Sequence, residues 1–468
     1  MLCKSPQFPT LMIRRTCSLT PPRRARHRRF GGISWARWLF AAAASLSVVI
    51  SQNAQGQEIP RPSYARQKQR TELPTVSNFK IGEVLLRVDA QMTAEFTDNV
   101  DASATPKPDF IVTPEIGITG LWAVTKLNTL RFRTSFGYSY YFNSPNLNRQ
   151  IATISPDSAL TFDVYSGDVK FSFHEQPSLQ TETYNQGSLS GVAQLERFTN
   201  TAGVSVLWDL NDVVWTFGYD HYNFITIGGA NSSSGTTANA ISRLDHSTDQ
   251  VSASMAVKVS SILIGGLETT ASYSDYPEQT ASNFSTISAG PYFEFQLTPY
   301  THVFLSGGYK GVFSGTNAAG SVAVSSTTTA QPAQGDPAGY YANLSFVHRL
   351  NRYYSDRLDI GHTDDVDALG GHTQANFLRY NGNWKVNSKW SLSNGIAYED
   401  IHIIAGSAIS GSAVASDYRR FIASLGTGYQ ISPHVAASLL YQYINKMALR
   451  SSESYVQNRI IISLGYRF

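Results

Sequence analysis

From Val84 to Phe96 apolar side chains occupy every second position: Val84, Leu86, Val88, Ala90, Met92, Ala94 and Phe96. Arg87, Asp89, Gln91, Thr93 and Glu95 stand between them. A period of two places successive side chains on opposite faces of an extended chain, so this segment reads as a strand with one apolar and one polar face. The pattern returns with Leu130, Phe132, Phe136, Tyr138, Tyr140 and Phe142 against Arg131, Arg133, Ser135 and Ser139. It closes the chain with Ile460, Ile462, Leu464, Tyr466 and Phe468 against Arg459, Ser463 and Arg467. These runs exceed the five or six residues of an average soluble strand and match the ~10 that a tilted strand needs to cross a bilayer.

Walking the chain in this way yields about 18 candidate strands, with 16 as the nearest alternative. Their connections alternate. Ser166-Gly167, Asp209 to Asn211, Ser260-Ser261, Pro299-Tyr300, Asn387-Ser388 and Ser432-Pro433 are short turns, whereas Gln176 to Glu196, Ile225 to Asp245, Ser314 to Pro337 and Ile403 to Ala415 are long and rich in Gly, Ser, Ala and Thr. Antiparallel strands with short turns on one side and long loops on the other predict an all-β fold, a transmembrane antiparallel up-and-down β-barrel with periplasmic turns and extracellular loops. The sheet must close, because an open edge in hydrocarbon would leave a row of unpaired backbone groups. Trp122, Trp208, Trp215, Trp384 and Trp390 all fall near predicted turns, as an interfacial girdle would. Tyr140, Phe142, Tyr219 and Tyr273 are candidates for a girdle at the other end.

Composition then narrows the class. With 15% charged and 12% aromatic residues the chain is neither disordered nor an ordinary helical enzyme. Residues 1–56 hold nine Lys/Arg, no acid, an apolar run from Trp38 to Ile50 and Ala54-Gln55-Gly56, which reads as a signal peptide. Without it, 28 basic residues face 34 acidic ones, so the formal +3 becomes −6 and a nucleic-acid partner is not expected. Cys3 and Cys17 lie in the same segment, so a mature chain from Gln57 has no thiol chemistry. Residues 57–80, with Pro60, Pro62 and Pro74, read as a flexible periplasmic lead-in, and 81–468 as one barrel domain.

The terminal strand, with Tyr466 and Phe468 on its apolar face, is similar to the C-terminal signature of bacterial outer-membrane proteins. That resemblance implies recognition by the barrel-assembly machinery and residence among outer-membrane lipid and lipopolysaccharide of a Gram-negative bacterium. The long signal, the lead-in and Glu95-Phe96-Thr97-Asp98-Asn99-Val100 resemble the beta-barrel porin type 2 group. This finer resemblance implies a barrel and names no substrate.

Candidate chemistry is sparse. Gly187-Ser188-Leu189-Ser190-Gly191 has leucine where a nucleophile elbow needs serine, and no His-x-x-x-His pair occurs, so no catalytic residue, cofactor or metal site is assigned and the chain reads as a non-enzyme. His362, Asp364, Asp365 and Asp367 cluster between candidate strands 13 and 14, and Asp98, Asn99 and Asp101 cluster in the first loop. Both read as solvated acidic loops, since neither has calcium-loop spacing. The polar parity instead defines a lumen: Arg87, Asp89, Glu95, Glu115, Arg131, Arg133, Lys258, Arg357, Asp359, Arg379, Arg420 and Arg459 are the candidate pore-lining residues. Over the whole polar parity eleven bases face nine acids, which suits water-filled space or charges paired along the wall. The leading expectation is a porin-like channel for small hydrophilic solutes, with a polysaccharide exit pore as a variant. The alternative is a plugged surface barrel for adhesion or envelope anchoring, or an outer-membrane lipid hydrolase. The sequence leaves the oligomeric state open.

Overall fold

A computed structural model of the chain describes residues 78–125, 127–148, 153–182, 195–229, 245–277, 283–314, 338–366, 372–405 and 417–468. The signal segment and the longest loops lie outside the described residues. Eighteen wall strands follow the predicted alternation. The first six are β1 (Val84–Thr97), β2 (Asp109–Ala123), β3 (Thr129–Gly137), β4 (Ala159–Ser166), β5 (Val169–Glu182) and β6 (Leu195–Asp209). Next come β7 (Val213–Gly229), β8 (His246–Lys258), β9 (Leu263–Asp275), β10 (Phe284–Thr298), β11 (Thr301–Ser314) and β12 (Ala338–His348). The last six are β13 (Tyr354–Val366), β14 (His372–Lys385), β15 (Trp390–Ala405), β16 (Tyr418–Gln430), β17 (Val435–Ala448) and β18 (Tyr455–Arg467).

Each strand pairs antiparallel with the next, and β18 returns to β1 from Asp89↔Arg467 to Thr97↔Arg459, so the wall is a closed barrel. One parity carries the large exposed apolar residues, among them Met92, Ile116, Leu267, Leu425 and Ile462. Apolar side chains left bare all round a closed sheet are stable only against lipid, so the fold is a transmembrane barrel. Trp122, Trp208, Trp384 and Trp390 are exposed on this face beside the short turns, and Tyr140, Phe142, Tyr219 and Tyr273 are exposed toward the opposite rim. Between β4 and β5 the two-residue turn has Gly167 at φ +59°, the left-handed value a primed hairpin turn needs and a side chain resists.

Four features differ from the alternation as read. β3 breaks at Gly137. The chain stays opposite β2 in the same register through Tyr140–Tyr141, with the Tyr138 amide donating to the carbonyl of Pro114, which has no N–H to return; it then makes a short 3-10 turn at Pro145–Leu147 and touches β3 at Thr153–Ile154. Pairing also runs further than expected: β5 continues through Pro177 to Glu182 and β6 begins at Leu195, both inside the connection expected over 176–196. Pairing persists there because its register is set by the hairpin, not by lipid. The lead-in ends in order, with Phe79–Ile81 pairing along Val84–Leu86 of β1 and the Asn78 side-chain amide donating to the Val88 carbonyl at 2.9 Å. It thus covers the stretch of β1 edge that lies beyond the end of β18.

The fourth difference is the first loop, which folds inward. Val100 packs with Tyr141, Leu147 and Ile111, and Ala102 packs with Ile422, Ile444 and Tyr455. Ala102 sits at φ +47°, a left-handed conformation that costs roughly 1–2 kcal/mol for a residue with a side chain and is offset by the burial of its methyl group. Asp98 and Asn99 are not solvated. Asp98 accepts from the Asn458 amide and side chain at 2.7 and 2.6 Å, and Asn99, almost fully buried, donates to the Val456 carbonyl. The solvated reading is therefore corrected for Asp98 and Asn99, which clasp the β1–β18 seam, while Asp101 pairs with the exposed Lys107 at 2.7 Å.

Candidate functional site

The face opposite the lipid parity is the lumen. Register and exposure place Arg87, Asp89, Glu95, Glu115, Arg131, Arg133, Lys258, Arg357, Asp359, Arg379, Arg420 and Arg459 on it. Most of these charges are paired. Arg87 and Asp89 (2.9 Å), and Arg357 and Asp359 (2.8 Å), pair two residues along one strand, where alternation returns the side chain to the same face. Gly117 lies across from Asp89, and a β-carbon there would fall 2.5 Å from the carboxylate and displace it from its present position. Across the seam Arg459 binds Glu95 through two nitrogens at 2.6 and 3.0 Å, a bidentate contact that fixes both planes. Lys258 and Glu115 make no ion pair among the described residues.

Two clusters are denser. Asp163 of β4, 0% exposed, receives Arg131 of β3 at 2.7 Å, Lys170 of β5 at 3.1 Å and the Ser172 hydroxyl at 2.7 Å. Glu399 of β15, 2% exposed, receives Arg379 of β14 at 3.0 Å and Arg420 of β16 at 2.6 Å. A buried carboxylate is tolerated in such a wall because charge-assisted hydrogen bonds replace its hydration. Arg420 is itself only 1% exposed, so although it faces inward it is part of the wall and does not meet lumenal water.

The sequence reading omitted Arg197, Lys310, Lys446 and Asp109, which also face inward. Their parity was the available signal. Around Lys446 it is hidden, because Leu439-Leu440-Tyr441 interrupts the alternation.

From β7 to β12 the inward face has another character. Thr248 bonds Ser274 at 2.8 Å and Ser272 bonds Thr286 at 2.6 Å, while His246 stacks between Phe224 (5.0 Å) and Tyr276 (4.8 Å). The cluster at His362 is also corrected: β13 extends through Val366, His362 stacks on Tyr340 at 4.3 Å and bonds Asn376, and Asp364 is fully buried. Asp367 lies outside the described residues. On the lipid face toward the extracellular rim, Tyr219 and His221 of β7 both reach one oxygen of Asp249, at 2.8 and 2.7 Å. In a hydrolase relay the hydroxyl would bond the imidazole; here phenol and imidazole converge on the carboxylate.

No protein-family model matches the chain, and no characterised protein matches its sequence. Among solved structures it is similar to OpdQ of Pseudomonas aeruginosa (9% identity, TM-score 0.46, covering 83% of this chain and 100% of that one). It is also similar to OccK3 (OpdO) of the same organism (8%, 0.43, 82% and 95%) and to the outer-membrane protein OmpT of Vibrio cholerae (12%, 0.38, 83% and 99%).

Proposed function

We propose that the protein is an outer-membrane, porin-like channel for passive passage of small hydrophilic solutes. The observation that carries this reading is the exposure of charge inside a closed wall: Arg133 keeps 52% of its side-chain surface and Arg357 is equally open, although both point into the barrel. A dry core would impose a desolvation cost of several kcal/mol on such groups, so their exposure fits water. Eighteen strands is also the size at which side chains stop filling the interior. In this reading the cleaved signal exports the chain, the assembly machinery recognises the strand ending in Tyr466 and Phe468, and the apolar belt contacts lipid and lipopolysaccharide. A polysaccharide exit pore is the variant that the hydroxyl-rich arc from β7 to β12 favours.

The inward first loop favours a second reading, a barrel plugged at its extracellular mouth. Planar-bilayer recording of the purified protein separates the two. Stable open steps are expected for a channel, and insertion without conductance would replace it with the plugged barrel.

A further inference from the structure

The lipid face is not uniform around the wall. On β1 its positions from Val84 to Phe96 are all apolar, and β18 continues that surface with Ile460, Ile462 and Leu464. On β5 to β8 the same face carries a polar patch. Glu175 of β5 is exposed and stands across from the exposed Leu160 on one side and from Ala202 on the other, and the row continues through His221 of β7 to Asp249 of β8. Asn200 and Asn223 pair in the next outward row, and Tyr219 stands below His221. The Asn200 side chain donates to Glu175 at 3.3 Å, and His221 bonds Asp249 at 2.7 Å.

Depth sets this patch apart from an ordinary rim. Trp208 and Trp215 stand across from each other beside the short turn, and Trp208 also stands across from Val169 of β5. From Val169 to Glu175, and from Trp215 to His221, the chain climbs six residues. At about 2.5 Å of height per residue of a tilted strand, the row lies roughly 12–15 Å above the tryptophan girdle, inside an apolar belt about 25 Å tall. Apolar surface resumes above it, with Leu179, Phe198 and the exposed Ile225 side by side. The patch is thus framed by apolar residues above and below, and it is not the place where the wall passes into water. A carboxylate turned toward hydrocarbon at that depth destabilises a barrel, so this face needs a cover other than lipid tails.

We infer that the outer face of β5 to β8 is where a second copy of this chain docks, side by side in the membrane. The same tryptophan girdle seats both copies at one height, so the partner brings its own patch to the depth where this one needs cover. A two-fold axis along the membrane normal then sets the two faces against each other. The patch can complement itself: Glu175 and Asp249 are acceptors, whereas Asn200, Asn223, His221 and Tyr219 carry donors. Nε2 of His221 and the second carboxylate oxygens of Glu175 and Asp249 make no bond among the described residues, which leaves them for the partner. Hydrogen bonds between the copies replace the hydration that lipid withholds, and the exposed Val251 and Ile225 supply apolar contact around them.

The test is disulfide cross-linking of the full chain in outer-membrane vesicles, with Cys3 and Cys17 replaced by serine so that a single introduced thiol remains. Ala202→Cys, between Glu175 and His221, is expected to give a disulfide-linked dimer on oxidation with copper phenanthroline, in several-fold excess over Ala94→Cys on the lipid face of β1. Both substitutions are small and face outward, so the barrel still folds. Adding Glu175→Leu/Asp249→Leu to the Ala202→Cys chain turns the patch into ordinary lipid-facing surface and should abolish the excess, with β-sheet circular dichroism as the check on folding. An excess at Ala202→Cys that the apolar variant loses supports the interface. No dimer at Ala202→Cys, equal yields from the two cysteines, or an excess that survives in the folded apolar variant overturns it, and a cross-link to a different protein instead assigns the patch to that partner and overturns it as well. Conductance plays no part in this readout, so the inference stands or falls apart from the channel reading.

Discussion

The arc from β13 through the seam to β5 and the arc from β7 to β12 share one backbone geometry and differ in what holds their inner faces. The first is joined by ion pairs around two buried carboxylates; the second by hydroxyl pairs such as Thr248–Ser274 and by the Phe224–His246–Tyr276 stack. A neutral hydrogen bond contributes about 0.5–1.5 kcal/mol net, whereas stranding a buried charge costs about 3–5 kcal/mol. One arc is thus robust to single changes and the other is not.

The largest break in that comparison should come from Glu399→Gln. It removes the carboxylate that Arg420, 1% exposed, holds at 2.6 Å, and should lower unfolding stability by about 3–5 kcal/mol in a urea titration followed by tryptophan fluorescence. A loss under about 1 kcal/mol would show that Arg420 reaches water.

A smaller effect is expected in the hydroxyl arc. Ser274→Ala removes the partner of the buried Thr248 hydroxyl and should cost about 1 kcal/mol in the same titration, with the reversal potential unchanged. A shifted potential would mean that this arc shapes selectivity.

The smallest lies outside the wall. The Ile403 amide donating to Asp417 at 2.8 Å, with His402 at 3.1 Å, holds that carboxyl below the ordinary carboxylate range. A depressed folded-state pKa contributes stability above the unfolded value, and that stability is lost as pH falls through the folded one. Acidification below pH ~4 should therefore speed proteolysis of the β15–β16 connection, and Asp417→Asn should be equally susceptible at neutral pH. Equal cleavage of wild type at pH 7 and pH 3 would remove Asp417 as a tether.

Much of this architecture is legible in the alternation itself. The period of two from Val84 to Phe96 and from Ile460 to Phe468 names both strands of the seam and the face each gives to lipid, because one residue of slip would turn every arginine outward. The Gly137 break was not legible. Tyr138, Tyr140 and Phe142 keep the period and the chain stays opposite β2, while on its other side the register shifts between Arg133↔Ala159 and Phe136↔Ile154; periodicity reports a face, not a register. Loop limits were misjudged for a related reason: hairpin pairing such as that of β5 with β6 continues through Pro177 to Glu182, where the apolar alternation has lapsed.

Which charges meet across strands was decided by tertiary structure. Arg131 finds Asp163 across 32 residues and Arg459 finds Glu95 across 364, distances at which pattern carries no register. The sequence by itself determined the wall, its two faces and its long and short connections, since each follows from local alternation and turn residues. Barrel closure then selected the partners, covered Asp163 and Glu399, left Arg131 and Arg379 open and drew the first loop inward, because burial depends on what the rest of the chain brings alongside.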